Sequence, residues 1–292
     1  MFKGSLVALV TPFDSDNRVD YACLKRLIDF HVEQGSNGLV IAGTTGEAAT
    51  LTRAEHPELV ARSVEFSDGR LPIIAGTGSN STAQTIILSR EVGDTGIDAY
   101  LLVVPYYNKP MQEGMYRHFS TIADALDKPV MMYNVPGRTV ADMLPETIGR
   151  LATHGNILGI KEATGDINRL LEIKNLVSEE FMLYSGDDFT LLSFIEHGGH
   201  GVVTVSGNVV PGAIAELCRL AMAGESAQAK ALDATLQALN KALFIESNPI
   251  PVKWALAEMG LMEAYLRLPL TDYDGQYHAQ MRTAMAEAGV NL

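Results

Sequence analysis

Eight short apolar stretches alternating with amphipathic segments predict an α/β chain folded as a (β/α)8 barrel with a helical region behind it. Three observations carry the prediction. Each stretch is nearly continuous in apolar residues, the pattern of parallel strands buried on both faces. Successive stretches mostly start about 25–35 residues apart, the length of one strand–helix unit. All eight fall within residues 1–224, after which the pattern changes.

The stretches are SLVALV (5–10), GLVIAG (38–43), PIIAG (72–76), AYLLVV (99–104), PVMMYN (129–134), ILGIK (157–161), FMLYSG (181–186) and GVVTVS (201–206). Between the first two, residues 20–33 place Leu24, Leu27, Ile28 and Val32 on one helical face, and Gly35 ends the helix. Thr52-Arg53-Ala54-Glu55 has the spacing of a capping box, in which hydroxyl and carboxylate each satisfy a backbone amide. A doubly wound sheet would carry a glycine fingerprint after its first strand, but here the chain runs into VTPFD. GTGSNS (76–81) lacks the third glycine and the acidic partner of that fingerprint and reads as a tight turn. EHGGH (196–200) reads as a turn between helix and strand, and Asp187-Asp188 as a helix cap rather than a cation site. Residues 225–292 form the helical region, because SAQAKALDATLQALNKALFIE, WALAEMG and YHAQMRTAMAEAG are rich in helix formers. Its expected role is packing against the barrel wall or a neighbouring subunit.

The 292 residues are 47% apolar and 20% charged, with a mean hydropathy of +0.09, as in a soluble globular protein. A net charge of −13 without any basic stripe argues against nucleic acid as a partner. Two cysteines, Cys23 and Cys218, do not make a disulfide framework, which points to a reducing cytoplasm. The apolar stretch Leu6 to Val10 is too short for a signal peptide and runs into Pro12 and Asp14. No stretch approaches the length of a membrane span, so no membrane partner is expected.

In such a barrel, chemistry collects where the strands end. Those ends carry Gly43-Thr44-Thr45-Gly46-Glu47, Tyr106-Tyr107, the segment from Tyr133 to Arg138, Lys161, Gly186-Asp187-Asp188 and Ser206-Gly207-Asn208. The seven histidines are scattered, and there is no HExxH, serine elbow or evident Cys–His pair, so neither a metal nor another cofactor is expected. Lysine is rarely buried, yet an apolar strand delivers Lys161. An ordinary lysine amine is neutral in only about one molecule in two thousand at pH 7. Apolar neighbours such as Ile160 and Val203 would raise that fraction. A neutral amine attacks a ketone and forms a Schiff base, an electron sink. Tyrosines would then move protons and Arg138 would clamp a carboxylate. Tyr106 and Tyr107, adjacent on extended backbone, would point to opposite sides, one of them toward a neighbour or the core.

GTTGE (43–47), YNVPGRT (133–139) and GIKEATGD (159–166), in this order and spacing, resemble the 4-hydroxy-tetrahydrodipicolinate (dihydrodipicolinate) synthase family. That family lies within the pyruvate-dependent class I aldolase and lyase superfamily. The similarity runs through essentially the whole chain, including PYYNKP (105–110), SGDD (185–188) and ESNPIPVKWAL (246–256). It implies a TIM barrel that condenses pyruvate with L-aspartate 4-semialdehyde in lysine and diaminopimelate biosynthesis. It also implies a homotetramer, built as a dimer of tight dimers. By the same resemblance Lys161 forms the imine with pyruvate, and Tyr133 donates and accepts protons above it. Thr44 links Tyr133 to Tyr107 of the partner subunit in a proton relay. Thr45 with Thr44 holds the pyruvate carboxylate, Arg138 receives that of the semialdehyde, and Gly186 and Val203 line the pocket near the imine.

In lysine-inhibited relatives, free L-lysine sits at the dimer interface, and the resemblance assigns Ala49, His56, Asn80, Gln84 and Tyr106 to that candidate allosteric site. Ala48, Arg53 and Gln84 replace Ser, His and Glu of the sensitive enterobacterial type, so weak or absent inhibition is expected. A sister aldolase acting on sugar acids would share Lys161 and Tyr133 but needs a pocket for a long polyol. Arg138 and Thr44-Thr45 suit a short acidic aldehyde instead. A silent barrel that only binds a keto acid would be expected to lose Lys161 or Tyr133, and both are present.

Overall fold

The computed structural model describes residues 2–292. Eight parallel strands close into a barrel in chain order. They are β1 (Gly4–Ala8), β2 (Gly38–Ile41), β3 (Ile73–Gly76), β4 (Ala99–Val103), β5 (Val130–Asn134), β6 (Ile157–Glu162), β7 (Met182–Ser185) and β8 (Gly201–Thr204). The apolar runs read from sequence overshoot several of these ladders at the C-terminal end, where the chain turns into the loops of the barrel mouth. Closure brings Gly4 opposite Gly201. A Cβ on Gly201 would lie 2.1 Å from the Gly4 carbonyl oxygen, so the last seam forms only where a side chain is missing.

Helices α1 (Tyr21–Glu33), α2 (Glu55–Ser67), α3 (Thr82–Gly93) and α4 (Gln112–Ala125) follow the first four strands. The short α5 (Pro136–Thr139) and then α6 (Pro145–Leu151) follow β5. The barrel is completed by α7 (Ile167–Lys174), α8 (Leu191–Glu196) and α9 (Pro211–Met222). Local chemistry sets their ends. The Asp20 carboxylate accepts from the Cys23 amide, and Gly35 takes φ +80° just beyond α1. The capping box before α2 is reciprocal: Glu55 N donates to Thr52 Oγ1 at 3.2 Å, and Thr52 N donates to Glu55 Oε2 at 2.8 Å. GTGSNS is a turn from β3 into α3, with Ser81 accepting from the Gln84 amide.

Alternation along the strands divides the core into two apolar bodies. Leu6, Val40, Ile74, Leu101, Met131, Tyr184 and Val203 fill the barrel interior. Val7, Leu39, Ile73, Leu102, Met132 and Leu183 face the helices. Ile160 belongs to this outer body, so it does not flank the Lys161 amine as expected from sequence; neighbours on a strand face opposite ways. The last helices, α10 (Ser226–Ala242), α11 (Ile250–Glu258) and α12 (His278–Glu287), add Leu236, Leu239, Val252, Leu256, Met281 and Met285 to the outer body. Cys23 and Cys218 are both buried and unbridged. Among the described residues, no helix is long and apolar enough to cross a membrane.

Candidate active site

Strand register builds the centre of the site. Tyr133 on β5 is paired with Lys161 on β6, and Asn134 with Glu162. Tyr133 and Lys161 therefore point the same way, and Lys161 Nζ lies 4.2 Å from the centroid of the Tyr133 ring. Asn134 and Glu162 point to the opposite side, where Asn134 Nδ2 donates to Glu162 Oε2 at 3.0 Å and to Asp142 Oδ1 at 2.9 Å. That network ties the two strand ends together from behind. Gly186, beyond β7, makes room for the lysine stem: a Cβ there would lie 2.9 Å from Lys161 Cε and 2.6 Å from Ala163 Cβ.

Lys161 is only 6% exposed. Burial pulls its amine down to about 7, against the pull of the Asp188 carboxylate, while the Arg138 charge adds to the lowering. A substantial share of the amines is then neutral at pH 7, compared with about one in two thousand for an ordinary lysine. Burial pushes the Tyr133 phenol up, opposed by the Arg138 charge and by the nearby Thr44 hydroxyl. Asp188 is not the helix cap expected from sequence. Its carboxylate is buried and accepts from Val205 N at 2.8 Å, Ser206 N at 3.0 Å and the Thr204 hydroxyl, so it fastens the end of β8. The reason is competition between donors, since two orphan amides beyond β8 face it. Asp187 accepts from the Thr190 hydroxyl at 2.9 Å.

A cavity of about 910 Å³ opens above the lysine, and Thr44, Thr45, Tyr133, Arg138, Lys161 and Gly186 line it. From the β8 end it is Val205 that lines the wall, while Val203 lies in the barrel interior. Arg138 is exposed on α5 at the rim, and its Nη2 donates to the Asn248 carbonyl at 3.3 Å. Asn248 Nδ2 also donates to Thr45 Oγ1 at 2.9 Å. Its Oδ1 is buried without a partner among the described residues. Asn248 thus touches both the Thr44-Thr45 turn and the Arg138 segment, contacts that sequence reading missed. No local signal marks an asparagine as the neighbour of a threonine some two hundred positions away.

Tyr106 lines the cavity, whereas Tyr107 is 90% exposed and off its wall. The two rings do part company, but not on extended backbone, because Tyr107 has φ +73°. Ala49 and His56 also line the cavity, and His56 Nε2 lies 2.8 Å from the Gly76 carbonyl, with burial lowering the imidazole pKa. Asn80 gives its carbonyl to Asn108 Nδ2 at 2.8 Å, and Gln84 is exposed on α3. Arg53 is ion-paired with Glu91. Among the described residues, no three His, Cys, Asp or Glu side chains gather as a metal site.

The family model described as the dihydrodipicolinate synthetase family matches residues 1–288. A 4-hydroxy-tetrahydrodipicolinate synthase of Pseudoalteromonas atlantica is 53% identical over 293 residues, covering 99% of each chain. The crystal structure of the chloride inhibited dihydrodipicolinate synthase from Acinetobacter baumannii, complexed with pyruvate, superimposes with a TM-score of 0.98 at 46% identity over 100% of both chains. A further solved structure, described as the first monomeric dihydrodipicolinate synthase variant, is 40% identical with a TM-score of 0.96 and covers 99% of this chain and 97% of its own. The chain belongs to the dihydrodipicolinate synthetase family, class I aldolase-type lyases that condense pyruvate with L-aspartate 4-semialdehyde on the route to lysine.

Proposed function

We propose that this chain carries out the Schiff-base condensation of pyruvate with L-aspartate 4-semialdehyde on Lys161. The observation that carries the assignment is a buried amine, lowered to about 7, seated over the Tyr133 ring inside a cavity that also holds Thr44, Thr45 and Arg138. The neutral amine attacks the pyruvate ketone, and loss of water leaves an imine. Loss of a methyl proton then gives an enamine, whose carbon attacks the aldehyde. Tyr133 moves the protons, connected through Thr44 to Tyr107 of a second subunit. Thr44 and Thr45 receive the pyruvate carboxylate. Arg138, at the rim, receives the carboxylate of the semialdehyde, for which a planar guanidinium is well matched. Gly186 leaves the space around the imine, with Val205 on the wall from the β8 end.

The exposed Tyr107 side chain supports a homotetramer in which neighbouring subunits complete each other's sites, with residues 1–224 as the catalytic barrel and 225–292 as its helical support. Ala49, His56, Asn80, Gln84 and Tyr106 are assigned to a regulatory lysine site of weak affinity. The deciding experiment is borohydride reduction in the presence of pyruvate, followed by peptide mass spectrometry. The adduct is expected on the peptide containing ILGIK. An adduct elsewhere, or none, overturns the assignment.

A further inference from the structure

Lys253, on α11, is as deeply buried as Lys161, and the condensation makes no use of its amine. Its Nζ donates to Glu47 Oε1 at 2.6 Å, and both side chains are wholly shielded from solvent. Burial lowers the Lys253 amine to about 8 and the Glu47 carboxylate opposes this, so the ammonium form persists at neutral pH. The second Glu47 oxygen accepts from the Arg267 amide at 3.1 Å. Phe13 lies beneath the pair, its ring centroid 4.3 Å from Lys253 Nζ and 4.2 Å from the Arg267 guanidinium carbon.

Glu47 closes the turn that carries Thr44 and Thr45. Its amide donates to the Thr44 carbonyl at 3.1 Å, and the Ala48 amide donates to the Gly43 carbonyl at 3.2 Å. Its own backbone is left-handed, at φ 53° and ψ 37°, a region that residues with a Cβ avoid. A residue stays there only when its surroundings hold it. The grip comes from Lys253 and Arg267 on the carboxylate, while Asn248 holds Thr45 from the same side of the chain. A buried ion pair adds little net stability over well-packed apolar residues, so orienting this turn is a better account of the pair than stabilising the fold.

We infer that the Glu47–Lys253 ion pair is a positioning device for pyruvate, holding the turn so that Thr44 and Thr45 meet the substrate carboxylate before the imine forms. The inference rests on the assignment of those two threonines to that carboxylate.

Three variants of the full-length enzyme test it: Glu47→Gln, Lys253→Met and the two combined. Pyruvate dependence is read both from turnover and from borohydride trapping. Glu47→Gln is expected to raise the pyruvate KM at least about tenfold, with the semialdehyde KM changing less than about twofold and kcat changing less than the pyruvate KM. The double variant leaves no unpaired buried charge. It is expected to recover thermal stability without recovering pyruvate affinity, a separation that a merely structural pair would not produce. A folded Glu47→Gln enzyme with unchanged pyruvate dependence, or with both KM values raised equally, overturns the inference. If Glu47→Gln does not fold, the double variant decides on the same readouts; if neither folds, the pair is a stability element and the inference falls. Thr45→Val separates the two levels. If it leaves the pyruvate KM unchanged, the threonine assignment fails; if it raises that KM while Glu47→Gln does not, only the positioning role fails.

Discussion

Lys161 Nζ and the Tyr133 ring face each other at 4.2 Å because their residues are register partners at the mouth ends of β6 and β5. An ammonium over an aromatic face is attracted to it, by about 0.5–2 kcal/mol. Burial outweighs that attraction here, since the amine falls to about 7. The site therefore holds its lysine at a cost to the fold.

That cost has a predictable pH dependence. The amine has a pKa of about 7 in the folded chain and about 10.4 in the unfolded one. Between those values the unfolded state binds the extra proton, so stability rises with pH across the window. The cost is complete below pH 7 and gone above about pH 10.4. At about 1.4 kcal/mol per pKa unit it is on the order of a few kcal/mol. Lys161→Met should be inactive, folded and more stable than the parent at pH 7, with the advantage shrinking toward pH 10. Denaturant melts at the two pH values check this, and a variant less stable at pH 7 would contradict it.

Arg138 donates one hydrogen bond to the Asn248 carbonyl and otherwise stands at the cavity rim. Removing a charge-assisted clamp costs about 1.5–3 kcal/mol, roughly 10- to 150-fold. Arg138→Ala should lose that factor in kcat/KM for the semialdehyde while borohydride trapping of pyruvate persists. Equal loss of both would show that the arginine serves a different carboxylate.

Tyr107 is 90% exposed, an unusual place for a ring meant to relay protons within its own barrel. Tyr107→Phe and Lys161→Ala should each be inactive as homo-oligomers. Dissociated, mixed and reassembled, they should regain activity, because some sites then draw an intact Lys161 from one subunit and an intact Tyr107 from the other. No recovery, once mass spectrometry has shown mixed oligomers, would argue against a shared site.

For regulation, Gln84 is exposed and offers no carboxylate to a ligand ammonium, and Arg53 spends its charge on Glu91. A lost charge-assisted bond is worth about 1.5–3 kcal/mol. Free L-lysine should therefore inhibit weakly or not at all. Titration of initial rates decides it: half-inhibition below about 0.1 mM, an affinity beyond ~5.5 kcal/mol, would contradict the expectation.

Periodicity alone determined the barrel. Strands buried on both faces leave an unbroken apolar run, and each run here ends in polar residues at the mouth, so Thr44, Tyr133, Arg138 and Lys161 could be read as one rim from their places along the chain. The capping box at Thr52–Glu55 was equally legible, because both partners lie within one helical turn. Tertiary structure decided what depends on distant segments or on side-chain direction. Ile160 faces away from the amine because it precedes Lys161 on a strand. Asp188 serves the end of β8 rather than its own helix, since the pairing of β7 with β8 brings the Val205 and Ser206 amides to it. Asn248 reaches Thr45, and Lys253 reaches Glu47, only once the C-terminal helices lie against the barrel. Such contacts have no spacing rule: the chain between the partners is folded back, and burial rather than sequence separation selects who meets whom.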